Sequence, residues 1–208
     1  MNINSDIFIK ESNKGRMIGT DSLSPEEIRI IRKGIEKINA DKHIFIFNNS
    51  MHKNLCYAAS EDRIYVGRNI FPNPQYAFAD PRARMSIPTF LAHMYYGHRP
   101  FRNEYLEDEK NGMVRLPKWQ DEVRASINAA KIAPGIIKRD QYFLLQDAFH
   151  IANENGFDIV MGNFMKKVFF TNSDVKIIGK FNEKIIYVPV TDRKYSVSDR
   201  LTDCVVRD

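Results

Sequence analysis

Residues 87–102, I-P-T-F-L-A-H-M-Y-Y-G-H-R-P-F-R, place two histidines, His93 and His98, five positions apart between two prolines. Pro88 suits the first turn of a helix, and Pro100 is expected to end it. Along that helix Ile87, Phe90, Leu91, Met94, Tyr95 and His98 fall at i, i+3, i+4, i+7, i+8 and i+11. This is one stripe facing a core, with His98 at its end. His93 lies on another meridian. Five residues turn a regular helix through about 500°, leaving the imidazoles roughly 140° apart. Two histidines so placed do not meet at one ion. A helix widened by one residue, a π-bulge, would bring them together, and such bulges favour functional sites. Gly97 would ease that distortion. Otherwise His93 is half-exposed and His98 is a hydrogen-bonded residue at the core edge.

A second constraint comes from a carboxylate. Trp119, Glu122, Val123, Ser126, Ile127 and Ala130 repeat the same helical spacing on a segment expected to run from Pro117 to about Lys131. Glu122 therefore faces inward, whereas Asp121, Arg124 and Asn128 fall on the polar face. A carboxylate on an apolar stripe costs several kcal/mol or more if it stays charged and unpaired. It calls for a cation: a guanidinium such as Arg99 or Arg102, or a metal shared with His93 and His98. Two neutral imidazoles, one carboxylate and an open position is the pattern of a hydrolytic zinc centre. Ala125, Ala129 and Ala130 permit a neighbouring helix to approach closely.

The remaining elements read in blocks. Strands are expected at Asp6–Lys10, His43–Phe47, Leu55–Ala58 and Arg63–Gly67. Ser24-Pro25-Glu26-Glu27 is a capping box that starts a helix reaching about Asn39. A loop at Phe71–Pro81 carries aromatics, including Phe78, suited to a lid or a partner surface. Asn103–Gly112 is acidic and reads as irregular. Further helices are expected at Arg139–Asn155, with Gly156 as cap, and at Ile159–Phe170, followed by a hairpin around Phe181–Asn182. Strands in one block and helices in another favour a single α+β domain over 1–208, with a small antiparallel or mixed sheet and a helical C-terminal half.

At this point L-A-H-M-Y-Y-G-H-R, followed by W-x-D-E-x-R-A-S-x-N-A-A-K, resembles the zincin-like metallopeptidase domains of phage and mobile-element polyvalent proteins and polymorphic-toxin-type bacterial proteins. Their motif is H-E-x-x-G-H, with the same five-residue spacing, and a downstream D-E-x-x-A helix. The likeness covers roughly residues 60–170 and includes Asp80-Pro81-Arg82 and the R-D-Q-Y-F-L-L-Q-D-A-F-H helix; 171–208 is a tail. The resemblance implies a zincin-like fold, zinc as cofactor and a protein or peptide substrate. It also implies His93, His98 and Glu122 as metal-binding and catalytic residues. One position departs: Met94 stands where the group has the glutamate that moves the proton. Either the domain is a degenerate pseudoenzyme, or Asp121 or an acid of 104–109 has taken the role.

Two rivals remain. A metal-independent nuclease could use His93 and His98 beside Arg99, Arg102 and Arg124, and a formal net charge of +5 suits an acidic partner. A non-catalytic interaction or inhibitor protein of a mobile element is the other. His150, between Asp147 and Glu154, reads as a surface ion-pair residue. Cys56 and Cys204 form no C-x-x-C, so a thiolate site is not expected. G-x-S-x-G, Walker and dinucleotide-binding patterns are absent. No apolar run is long enough for a membrane span and no signal peptide is evident, so a cytoplasmic protein is expected, with signal-less export left open.

Overall fold

The computed structural model describes residues 8–10, 15–19, 21–50, 52–76, 80–113, 116–170 and 185–190. Four short strands, β1 (Phe8–Lys10), β2 (Phe45–Phe47), β3 (Cys56–Ala58) and β4 (Arg63–Val66), form a mixed sheet in the order β1-β3-β4-β2. β3 and β4 are an antiparallel hairpin, β1 runs antiparallel to β3, and β2 runs parallel to β4. β4 is buried from Ile64 to Val66, as a central strand should be. Helix α1 (Pro25–Lys37) begins as the sequence predicts. Ser24 Oγ accepts from the Glu27 N–H at 3.2 Å and Glu27 Oε2 accepts from the Ser24 N–H at 2.8 Å. Its Ile31 and Ile35 are buried, and Gly34 lets Ile87 and Leu91 of the next helix approach. The architecture is thus α+β.

The histidine segment is one bent helical rod. Helix α2 (Ile87–Ala92), capped by Ser86, passes into a π-turn over His93–His98, then a 3-10 turn at Arg99–Phe101, then α3 (Arg102–Asn111). The widened helix that would bring the two histidines together is present. Its Arg99 N–H reaches the Met94 carbonyl five residues back. Two expectations fail here. Pro100 does not end the rod. It sits in the first turn of the 3-10 segment, where a missing N–H costs little. The Tyr96 carbonyl one turn back takes Asn128 Nδ2 instead, at 2.7 Å. Residues 103–112 are helical rather than irregular, because buried Tyr105 and Asp108 anchor one face and Gly112, at φ +61°, closes the end.

Helices α4 (Lys118–Ile132) and α5 (Lys138–Glu154) form a helical hairpin behind the π-turn. Gly97 explains the close packing: a Cβ there would lie 2.7 Å from the Ala125 carbonyl oxygen. Its purpose is close approach to α4. After α5, Phe157–Ile159 is strand β5 and α6 is only Asn163–Phe170, so the expected helix starts four residues late. β5 pairs antiparallel with β6 (Tyr187–Pro189), and Trp119 stacks on Phe157 at 5.1 Å. The other arm expected of the tail hairpin, Phe78 and Cys204 lie outside the described residues. Phe71 packs on the core, Tyr76 is exposed, and Cys56 is buried on β3. One cluster of buried residues runs from Leu23 to Val168. Among the described residues no helix is long and apolar enough to cross a membrane.

Two arginines fasten the sheet side to the rod. Arg16, fully buried, donates to the carbonyls of Asn69 at 3.0 Å, Arg82 at 2.8 Å and Met85 at 3.0 Å, and also to Ile70, and lies over the Phe90 ring. Arg99 binds both oxygens of Asp62, in the β3–β4 turn, at 2.8 Å. Its hydrogen bonds hold the Asp62 carboxyl below its usual 3.8. A depressed carboxyl stabilises the fold above its unfolded pKa and loses that contribution as pH falls. The stability difference between wild type and Arg99→Gln is therefore expected to be full above about pH 4 and to shrink below it, read from urea unfolding across the acid range. Gly97→Ala is expected to cost about 2 kcal/mol or more through overpacking against Ala125; an unchanged unfolding midpoint would contradict the close approach.

Candidate metal centre

The π-turn sets His93 and His98 over one another, and both are fully buried. Their Nε2 atoms are 3.2 Å apart. The half-exposed reading of His93 is thus overturned: a hydrogen bond from residue i to i+5 superposes side chains that a regular helix would separate. Glu122 comes from α4, 5% exposed, as its inward stripe predicts. Its Oε2 lies 3.4 Å from His93 Nε2 and its Oε1 3.9 Å from His98 Nε2. One ligand atom from each of the three lies within 4.8 Å of the others, so this buried group could hold a metal ion.

Hydrogen bonds around the triad assign the proton positions. Ser126 Oγ donates to Asp147 Oδ2 at 2.8 Å, so it accepts at its 3.0 Å contact with His93 Nδ1. His93 Nδ1 therefore carries the proton and Nε2 a lone pair. His98 Nδ1 is 3.2 Å from Asp121 Oδ2 and 3.2 Å from Tyr105 Oη, whose proton goes to Asp121 at 3.0 Å. Both neighbours accept, so His98 is protonated at Nδ1 too. With both rings neutral, two nitrogen lone pairs and a carboxylate face one another in a buried space, and a shared cation relieves their repulsion; with a second proton on His98, its Nε2 instead donates across the 3.2 Å contact with His93 Nε2. Glu122 Oε1 is buried and lacks a hydrogen-bond partner, as a ligand atom aimed at an ion would be.

Acids and guanidiniums behind the triad complete the set. Arg82, 3% exposed, gives Nη2 to Glu122 Oε2 at 2.9 Å and Nε to Asp147 Oδ1 at 2.8 Å. A ring thus closes: Glu122, Arg82, Asp147, Ser126, His93 and back to Glu122. The expected partners of Glu122, Arg99 and Arg102, are elsewhere. Arg99 holds Asp62, and Arg102 donates to the Ala59 and Ser60 carbonyls at 2.7 and 3.1 Å. Asp121 is not on a solvated face either. It is 8% exposed because α3 covers it with Tyr105, and Arg124 Nη2 binds it at 2.7 Å. Burial pushes the Asp121 carboxyl up, but the hydrogen bonds and charges of His98 and Arg124 prevail and hold it at about 2. Asp147 leaves His150 for Arg82 and Ser126; His150 keeps only the Glu154 half of its expected pair, at 3.5 Å.

Three buried carboxylates, Asp121, Glu122 and Asp147, meet two guanidiniums, Arg82 and Arg124. The one negative charge in excess suits a bound cation or a protonated imidazole. Sequence reasoning missed Arg82, Ser126 and Asp147. Ser126 was visible on the Glu122 stripe one turn away, but nothing in the sequence placed Arg82 or Asp147 beside it.

No protein family, curated protein or solved structure matches the chain. The centre rests on its own geometry. Partners that fix ligand orientation typically matter by about 10–100-fold in metal affinity. Ser126→Ala is expected to weaken zinc or cobalt binding by about that factor, measured by chelator competition, while the far-ultraviolet circular dichroism stays unchanged. Unaltered affinity would remove Ser126 from the supporting ring.

Proposed function

We propose that the chain is a zincin-like metallopeptidase-type domain that binds zinc through His93, His98 and Glu122 and lacks that group's proton carrier at Met94. The observation that carries this is the convergence of three donors across the π-turn. Tetrahedral zinc with bonds of about 2.0–2.1 Å sets two ligand atoms roughly 3.3 Å apart. The separations are 3.2 Å between the imidazoles, 3.4 Å from His93 to the Arg82-held Oε2 of Glu122 and 3.9 Å from His98 to its Oε1, close to that span. Two neutral imidazoles and one carboxylate are also the donor set of hydrolytic zinc centres. Asp121 and Ser126 hold the imidazoles with Nε2 available, and Arg82 leaves Glu122 Oε1 to turn inward.

Zinc held there would supply Lewis acidity and a water of lowered pKa. Peptide hydrolysis needs, in addition, a side chain that takes a proton from water and returns it to the leaving amine. Met94 has no such group and is packed in the core at 0% exposure. Two of the acids that could take that role are committed elsewhere. Asp121 binds His98, Tyr105 and Arg124, and Glu104 binds Arg124 at 2.6 Å. Loss of a positioned acid/base costs about 10²–10⁴-fold. The domain is therefore read as a centre that holds metal and a protein or peptide partner with little or no turnover. Nothing favours metal-independent RNA cleavage, since both imidazoles are buried with their Nδ1 atoms engaged.

Elemental analysis of protein purified without chelators is expected to give about one zinc per chain; near-zero content even after zinc is supplied would sink the metal reading. Wild type is expected to leave casein uncut above background. Met94→Glu is expected to raise zinc-dependent cleavage, with a less stable metal-free form because a carboxylate replaces a core methionine. Vigorous zinc-dependent cleavage by wild type would overturn the degenerate assignment.

A further inference from the structure

Strand β2 is an edge of the four-stranded sheet. Among the described residues it pairs with β4 alone, and its one other backbone hydrogen bond joins the Phe45 N–H to the Lys42 carbonyl. An open edge presents backbone donors and acceptors to any chain that can lie beside it. A groove of about 650 Å³ separates β2 from the C-terminal half of α1, within the size range of ligand sites. No β4 residue lines it, so it lies on the open side of β2. Ile35 and Phe45 are buried beneath it, and half-buried Ala40 and Phe47 complete an apolar floor. Phe45 and Phe47 face this side of the sheet, whereas Ile46 packs on the other with Cys56 and Tyr65.

Cations stand at both ends of the strand. Lys42 and His43 precede β2, and the Arg32 guanidinium lies over the Phe47 ring at its far end, 5.8 Å from the centroid. Both Arg32 and Lys42 are exposed, and among the described residues neither makes an ion pair. Glu36 is the one acid in the lining, while Lys33 and Lys37 add positive charge on the same helix. A second copy of this edge would meet like charge at both ends. A phosphate chain would run along Glu36 and an apolar floor. An extended peptide suits every part of the groove. Its alternate side chains fall on one face roughly 6.7 Å apart. A central apolar residue then seats on the floor, and carboxylates two positions to either side reach Lys42 and Arg32.

We propose that the open edge of β2 binds an extended segment of a partner protein with the pattern acid-x-apolar-x-acid, which adds a strand to the sheet and lays its apolar side chain in the groove. Main-chain hydrogen bonds supply affinity, and the alternate side chains supply specificity. The site goes beyond the metal reading, since none of His93, His98 and Glu122 lines the groove.

The probe is a fluorescein-labelled, end-blocked peptide, Gly-Glu-Thr-Leu-Thr-Glu-Gly, titrated against the full chain by anisotropy. It is expected to saturate about tenfold tighter than its counterpart with Lys in place of Glu, the scale of two exposed ion pairs kept or reversed. Arg32→Glu and Lys42→Glu change exposed side chains, so the fold is kept, as far-ultraviolet circular dichroism checks. Each is expected to weaken the acidic peptide several-fold and to strengthen the basic one. Backbone pairing is read separately, because only alternate amides of an added strand face its neighbour. N-methylation at Leu and N-methylation at both Thr are therefore expected to differ, one abolishing binding and the other sparing it. Equal effects of the two methylations, equal binding of acidic and basic peptides, or no saturation would overturn the proposal. So would saturable binding of oligothymidylate in place of the peptide, lost in Arg32→Glu, which would assign the groove to single-stranded nucleic acid.

Discussion

Arg82 carries the contact on which the arrangement around it depends. Its guanidinium lies almost wholly out of water between Glu122 and Asp147, at 2.9 and 2.8 Å. Removing one partner of a buried set leaves an uncompensated charge and costs about 3–5 kcal/mol. The position of Arg82 is in turn fixed from outside. Arg16 donates to the Arg82 carbonyl and to the Asn69, Ile70 and Met85 carbonyls, tying the turn that carries Arg82 to the end of β4. The sheet side of the molecule therefore determines where a charge sits on the helical side. That charge holds Glu122 Oε2 3.4 Å from His93 Nε2 and leaves Oε1 3.9 Å from His98 Nε2, so the carboxylate's orientation is inherited rather than chosen by its own helix.

The π-turn is the other half of the same problem. A regular helix would keep His93 and His98 apart; the widened turn brings them within 3.2 Å of each other. A widened turn gives up favourable backbone geometry and persists where packing compensates. Here Gly97 lets the Ala125 backbone approach closely, Asn128 takes the Tyr96 carbonyl that Pro100 cannot serve, and Tyr96 Oη donates to the Ile38 carbonyl at 2.9 Å. α4 thus supplies both the packing that sustains the turn and the carboxylate that faces it. This coupling explains why Met94 is deep in the core. The residue after His93 points to the packed side of the widened turn, where methionine is at home and an unliganded carboxylate would not be.

Much of this was legible in order along the chain. The capping box at Ser24, the strands at Phe45–Phe47 and Arg63–Val66, the inward stripe of Glu122 and the condition that only a bulge could bring the two histidines together follow from local spacing. Other features were not legible. Residues 103–112 have little helical amphipathicity, and their helix is held by buried Tyr105 and Asp108, of which Tyr105 meets Asp121 on another helix. Asp121 reads as surface on its own helix until α3 folds over it. His150 and Asp147 look like one surface pair, yet Asp147 is claimed by Arg82, 65 residues away.

The sequence by itself determined most of the elements, the α+β order and the candidate triad, because periodicity and capping act over one or two turns of chain. It also determined that Met94 cannot move a proton, since that follows from the side chain alone. Only the tertiary structure decided which charges neutralise which, which nitrogen of each imidazole is left open, and that a groove lies between α1 and β2. Many of those outcomes depend on groups far apart in the chain, such as Ser126 with His93 and Arg82 with Glu122. Burial removes water as an alternative partner, so each such group must be matched by whatever the fold brings beside it.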